Sequence, residues 1–398
     1  MDWINRIDFQ RWTMANFIVL AFLGSVLRYI ICFPAGKLNY LFILHAHSHF
    51  AFAGWIFMAL AIFLSKKIHL TPPHAFNWIL LLTLICSFGM LISFSLQGYK
   101  FVSIAFSTLF IFVTYWFAYL LNRYLKNDRT DFLFRTLSKA GILFLVISSL
   151  GPLALGVLKA NGNTGIIYQN SIYFYLHFQM NGWMLFGVLA LVAKQILKEG
   201  NSYKGLKPYL YAFICSTAPL FFIFTLWAHP PQWVYFVALS ASIFNSASWF
   251  IILWKLRLAA GPIPFFIKVA LLAISIKVLF QVMVCIPLIG DWTFSNRNLI
   301  IGYVHLITLG AITPVIISQF TSNLNLKTPY LDGFYTTLTL LYLGLLFIQP
   351  LLNLWLISIP YFQHYLLATS LLFCVAGLAY YRQFFYHFPF QKTKFNSI

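Results

Sequence analysis

The chain is 398 residues long, 61% apolar, 20% aromatic and only 8% charged, with a mean hydropathy of +0.83. A soluble domain carries roughly a quarter charged residues, so this composition excludes one and predicts an all-α polytopic membrane bundle embedded in a lipid bilayer. The formal net charge of +19 does not indicate a nucleic-acid partner, because the lysines and arginines fall mostly in short loops between apolar runs.

A membrane-spanning helix needs about 20 mostly apolar residues. In chain order, twelve runs meet that requirement: 14–33, 40–64, 76–96, 100–122, 137–158, 168–193, 208–227, 233–254, 264–288, 298–320, 331–355 and 361–385. Turn-forming residues separate them, among them Pro72-Pro73, Asn161-Gly162-Asn163, Pro230-Pro231, Gly261-Pro262 and Gly290-Asp291. The tightest expected turn is 97–100. No internal repeat stands out and the first apolar run has no small-residue cleavage site, so residues 1–398 are expected to form a single integral membrane domain. Five cysteines are scattered through apolar stretches with no C-x-x-C-H, which argues against covalent haem attachment.

Twenty of the 26 lysines and arginines fall on the side of the N-terminus, here end A. Arg28, Lys37, Lys100, Lys159 and Arg297 fall on the opposite side, end B. The excess makes end A cytoplasmic, with both termini on that side, as expected for a protein of a bacterial inner membrane. The one cation left over, Lys277, lies near the middle of the ninth run, one turn from Gln281. An ionisable group at that depth is expensive and is a functional candidate by default. None of the seven acids (Asp2, Asp8, Asp128, Asp131, Glu199, Asp291 and Asp332) lies mid-run.

Six of the ten histidines then fall at one depth, in the half of the bundle nearer end B: His45, His47 and His49 on the second run, His177 on the sixth, His229 after the seventh and His305 on the tenth. Histidine is the commonest metal ligand, and a buried ring needs a partner. At 100° per residue His45 and His49 share a face and His47 points nearly opposite. His177 and Asn181, four apart, share a face as well. His69, His74 and His387 fall outside the layer, and each histidine taken singly can also serve as an interhelical hydrogen-bonding group.

Twelve runs with histidines on the second, sixth, seventh and tenth resemble subunit I of the haem–copper oxidase and nitric oxide reductase superfamily. The segment 44–54 (LHAHSHFAFAG) resembles its haem-ligand region, and 175–183 (YLHFQMNGW) its sixth-helix ligand motif. Together with 304–313 (VHLITLGAIT), the first also resembles the NnrS family of membrane haem–copper proteins linked to nitric oxide tolerance. The resemblance implies a haem b held by His45 or His49 with His305, propionates near Arg28, Lys37 and Arg297, and copper or another transition metal on His47, His177 and His229. It further implies a diatomic gas ligand, nitric oxide or oxygen, and an electron donor or companion subunit. The chain departs from the pattern where the family has a second seventh-helix histidine, here Pro230, and a glutamate or tyrosine, here Asn181. A reduced member of the superfamily, binding a gas or passing electrons, is the expectation. The alternatives are a transporter of metal or small solute with a histidine transit site, and an active nitric oxide or oxygen reductase with an unusual proton route. Asn181 and Lys277 are its catalytic candidates.

Overall fold

The computed structural model describes residues 4–33, 36, 38–68, 73–127, 132–197, 204–259 and 261–385. Lys37, His69 and His387, together with Asp2, Asp128, Asp131 and Glu199, lie outside the described residues. Among the described residues, twelve helices are long and apolar enough to cross a membrane. They are α1 (Phe9–Cys32), α2 (Tyr40–Lys67), α3 (His74–Gln97), α4 (Phe101–Lys126), α5 (Phe132–Ala160), α6 (Ile166–Ile196), α7 (Lys207–Ala228), α8 (Gln232–Arg257), α9 (Phe265–Val284), α10 (Arg297–Asn323), α11 (Pro329–Asn353) and α12 (Phe362–Phe385). Each coincides with one of the twelve apolar runs. The ninth run ends early: α9 stops at Val284, and Pro287, lacking an N–H, opens a separate short helix, Pro287–Ser295.

Three helices are inner and nine are outer. The most apolar stretches of α2, α6 and α10 are 78%, 94% and 61% buried, against 33–44% for the others. The inner helices are every fourth one, and all three run from end B towards end A. Their sequences repeat. The interval from His49 to His177 equals that from His177 to His305, and Gly54, Gly182 and Gly310 stand at one common offset from these histidines. Within one or two residues after each histidine the helix widens into a single π-helical turn: Ala51–Phe57, Phe178–Met184 and Leu306–Ile312. The chain therefore does carry an internal repeat, which escapes a reading by composition because only His, Gly and the turn geometry persist.

A π turn inserts one residue and upsets the regular ladder of backbone bonds. Outer helices reach into two of these turns. Asn16 of α1, fully buried, donates from Nδ2 to the Gly54 carbonyl at 2.7 Å. Tyr335 of α11 donates its hydroxyl to the Leu309 carbonyl at 2.9 Å. Towards end A the inner helices meet. Trp55 Nε1, still within the α2 turn, donates to Thr313 Oγ1 at 3.2 Å, and beyond the turns Gln195 donates to Ser318 Oγ at 3.0 Å. Before the turns, towards end B, their histidines face the outer helices.

Candidate functional site

The α2 histidines occupy two faces of one helix, as the 100° spacing requires. Asn39 fixes the start of that helix, accepting the backbone N–H groups of Leu41 and Phe42 at 3.0 and 3.3 Å. His47 turns towards α1, where Gly24 leaves room for it: a Cβ there would sit 3.4 Å from His47 Cε1. Its other neighbours are the Leu20 carbonyl and, within electrostatic range, His305 and Arg28. His47 Nδ1 is buried with no hydrogen-bond partner among the described residues.

His305 completes the group from α10. Its Nδ1–H donates to the Ile301 carbonyl one turn earlier, at 2.8 Å. That bond orients the ring and leaves the Nε2 lone pair to act as a ligand or acceptor. The ring packs against Tyr342 of α11, centroids 5.3 Å apart. Arg28, only 6% exposed, donates to the Tyr342 hydroxyl from Nη2 at 2.7 Å and Nε at 3.3 Å, with its guanidinium carbon 5.5 Å from the ring centre. Arg297 is exposed at the first turn of α10 and donates to the Tyr40 hydroxyl at the first turn of α2, at 2.8 Å. The partner expected for His305 was His45 or His49. His47 is the α2 histidine within electrostatic range of His305, while His45 and His49 pack against Phe94 and Tyr99.

A second polar group lies between α6, α7, α9 and α10. Gln281 Nε2 donates to the Tyr303 hydroxyl at 3.0 Å, and that hydroxyl donates to Asn181 Oδ1 at 3.2 Å. Asn181 Nδ2 lies 3.3 Å from His177 Nδ1, and His177 Nε2 lies 2.8 Å from the Thr217 carbonyl. A carbonyl only accepts, so Nε2 carries the proton and Nδ1 accepts from Asn181. Pro219 sets up the end of the chain. The helix tightens there, the Phe221 N–H bonds the Ala218 carbonyl at 3.2 Å, and the Thr217 carbonyl is left free for the histidine. His177, Asn181, Gln281 and Lys277 are each 1–2% exposed, and Lys277 acts electrostatically on His177. Gln281 Oε1 is buried without a partner among the described residues.

His177 thus has both ring nitrogens engaged by protein groups. His229 stands apart from it. Its backbone is left-handed (φ 49°), which swings the side chain outward at the end of α7. The ring is 70% exposed and lies 3.7 Å from Asp291 of the short helix after α9. His47, His177 and His229 therefore do not come together, and among the described residues no group of three or more His, Cys, Asp or Glu is placed to hold a metal ion. The residues missed by sequence reasoning are Tyr342, Tyr303 and Thr217. Among so many tyrosines, and with a backbone carbonyl as one partner, no sequence signal marks them.

No family model matches the chain, and no curated protein matches it. The fold and the buried polar groups define an integral membrane protein of twelve candidate spans, built on three inner helices with a histidine before each π turn.

Proposed function

We propose that this protein binds a non-covalent b-type haem between α2 and α10, which His47 and His305 would hold. The observation that carries the reading is the pair itself. The two imidazoles come from adjacent inner helices. His47 has a buried nitrogen without a partner, and the His305 ring is oriented by its own backbone through Nδ1. The surroundings suit the group. Arg28 and Tyr342 offer buried donors to a carboxylate, and Arg297 offers a cation at the first turn of α10. The resemblance to the haem–copper oxidase, nitric oxide reductase and NnrS families supports a haem held in part by His305, although it implied His45 or His49 rather than His47 as the second ligand.

When bound, haem would supply one-electron chemistry or a binding site for nitric oxide or oxygen. The protein's part is orientation. The Ile301 carbonyl holds the His305 ring in one rotamer, and the Arg28–Tyr342 contact places positive charge beside it. Two bound imidazoles favour electron transfer, so an electron donor or companion subunit belongs to this reading. A reductase reading rests on the Gln281–Tyr303–Asn181–His177 chain as a route for protons, with Lys277 alongside.

The test is the optical spectrum and pyridine haemochrome of protein purified from haem-replete cells. The expected result is a b-type spectrum that His47→Ala and His305→Ala each abolish or convert in spin state. His45→Ala, His49→Ala and the exposed His74→Ala leave it unchanged. Colourless protein, or spectra indifferent to both His47 and His305, removes the proposal.

A further inference from the structure

The opposite face of α2 carries two imidazoles that the haem reading does not use. His45 and His49 are four residues apart on a helix, so their Cβ atoms lie about 5–6 Å apart, the spacing at which two rings can grip one ion. Phe94 of α3 stacks on His49 with centroids 4.4 Å apart and planes 17° from parallel, and sits 6.1 Å from His45. Tyr99 closes the group. Its hydroxyl lies 2.8 Å from His49 Nε2, and its ring is 4.6 Å from that of His45.

The tyrosine is held there by the turn between α3 and α4. Gly98 has φ +63°, and a Cβ at that position would meet the Phe42 ring at 2.5 Å, so only glycine fits. Ser103 Oγ donates to the Gly98 carbonyl at 2.7 Å and accepts the Lys100 N–H at 3.0 Å, pinning the loop. A phenol hydroxyl at this distance can donate to a His49 Nε2 that carries no proton. The group is reachable: Tyr99 is 45% exposed and His45 is half-buried. The nearby charge is Lys159, with Nζ 5.9 Å from the Tyr99 ring centre, over the ring. The described carboxylates lie elsewhere: Asp8 at the start of α1, Asp291 beside His229, and Asp332 bonded to Tyr380.

We propose that His45 and His49 chelate a divalent transition-metal ion at end B, with the Tyr99 phenol beside it. Two imidazoles without a carboxylate favour Cu²⁺, Ni²⁺ or Zn²⁺ and disfavour Ca²⁺ and Mg²⁺. On binding, the His49 Nε2 lone pair passes from the Tyr99 proton to the metal, and the freed hydroxyl turns to a metal-bound water. The site does not depend on the haem reading, since it uses neither His47 nor His305.

The experiment uses the full chain in detergent, stripped with a chelator and titrated with Cu²⁺ and, separately, Zn²⁺. Electron paramagnetic resonance of the copper form reads the number of coupled nitrogens. One copper per chain, coupled to two imidazole nitrogens, is expected. His45→Ala or His49→Ala alone weakens binding about a hundredfold through loss of chelation, and the double variant abolishes it. Tyr99→Phe keeps the two-nitrogen signal and weakens binding about tenfold. His47→Ala keeps the copper signal whatever happens to haem, so the two proposals fail separately. In the unaltered protein, Zn²⁺ is expected to shield His45 and His49 from diethylpyrocarbonate, read by mass spectrometry, which needs no variant to fold. Copper bound equally by the double variant, a parent signal without two coupled nitrogens, or unshielded histidines would overturn the proposal.

Discussion

Replacing Gly182 by alanine tests whether the π turn of α6 is seated as tightly as the structure has it. The new Cβ would lie 2.5 Å from Phe144 Cβ and 2.9 Å from Phe144 Cγ. Carbon atoms pack best at about 3.5–4.0 Å, so one of the two helices must withdraw by about 1 Å. Phe144 cannot escape by swinging its ring, because the clash is with the atom attached to its backbone. The ring is also stacked between Phe178 and Phe186, each at 5.6 Å. Overpacking of this kind costs about 1–3 kcal/mol, and the geometry puts Gly182→Ala at about 3. Two controls share the chemistry without the clash. Gly187→Ala meets only the flexible tip of Leu60, at 3.2 Å, and is expected to cost under about 1 kcal/mol. Gly156→Ala meets nothing within 4 Å and gains up to about 1 kcal/mol from helix propensity. Unfolding titrations in detergent micelles rank the three. A Gly182→Ala variant as stable as Gly156→Ala would refute the close approach of α5 and α6.

Tyr303→Phe deletes a hydroxyl that both accepts from Gln281 and donates to Asn181, and is expected to cost about 1–3 kcal/mol. Adding Gln281→Leu should restore part of that loss in a double-mutant cycle, since it removes the stranded donor. Lys277→Met exchanges a buried cation for an apolar chain of similar length, and by the cost of burying charge should be neutral or stabilising by about 1–4 kcal/mol in the same titration. A large destabilisation would instead show that the ammonium is firmly bonded.

The twelve spans were legible because twenty-residue apolar runs leave little choice of structure. The split of the α2 histidines into two faces was legible for a similar reason, since helical periodicity alone separates His47 from His45 and His49. Which face meets which neighbour was not legible. That depends on α1 meeting the His47 face of α2 and α3 the His45–His49 face, a matter of packing order that no local pattern encodes. His229 was misplaced because its left-handed backbone, unusual for a residue other than glycine, sends the ring outward. The role of His177 turned on the Thr217 carbonyl of another helix, left open where the Phe221 N–H bonds Ala218 instead. A sequence displays side chains, and half of that hydrogen-bond pair is main chain.

The π turns carry a consequence for how such a chain came about. A lone π turn in a helix is what a single inserted codon leaves behind when the structure absorbs it. Here three π turns sit within one residue of a common register, each following a histidine and spanning a glycine at the same offset from it. One insertion in an ancestral four-helix unit, copied twice, accounts for all three more simply than three separate events. Fusion freed the three copies to differ, so that the position held by His49, His177 and His305 now faces three different environments.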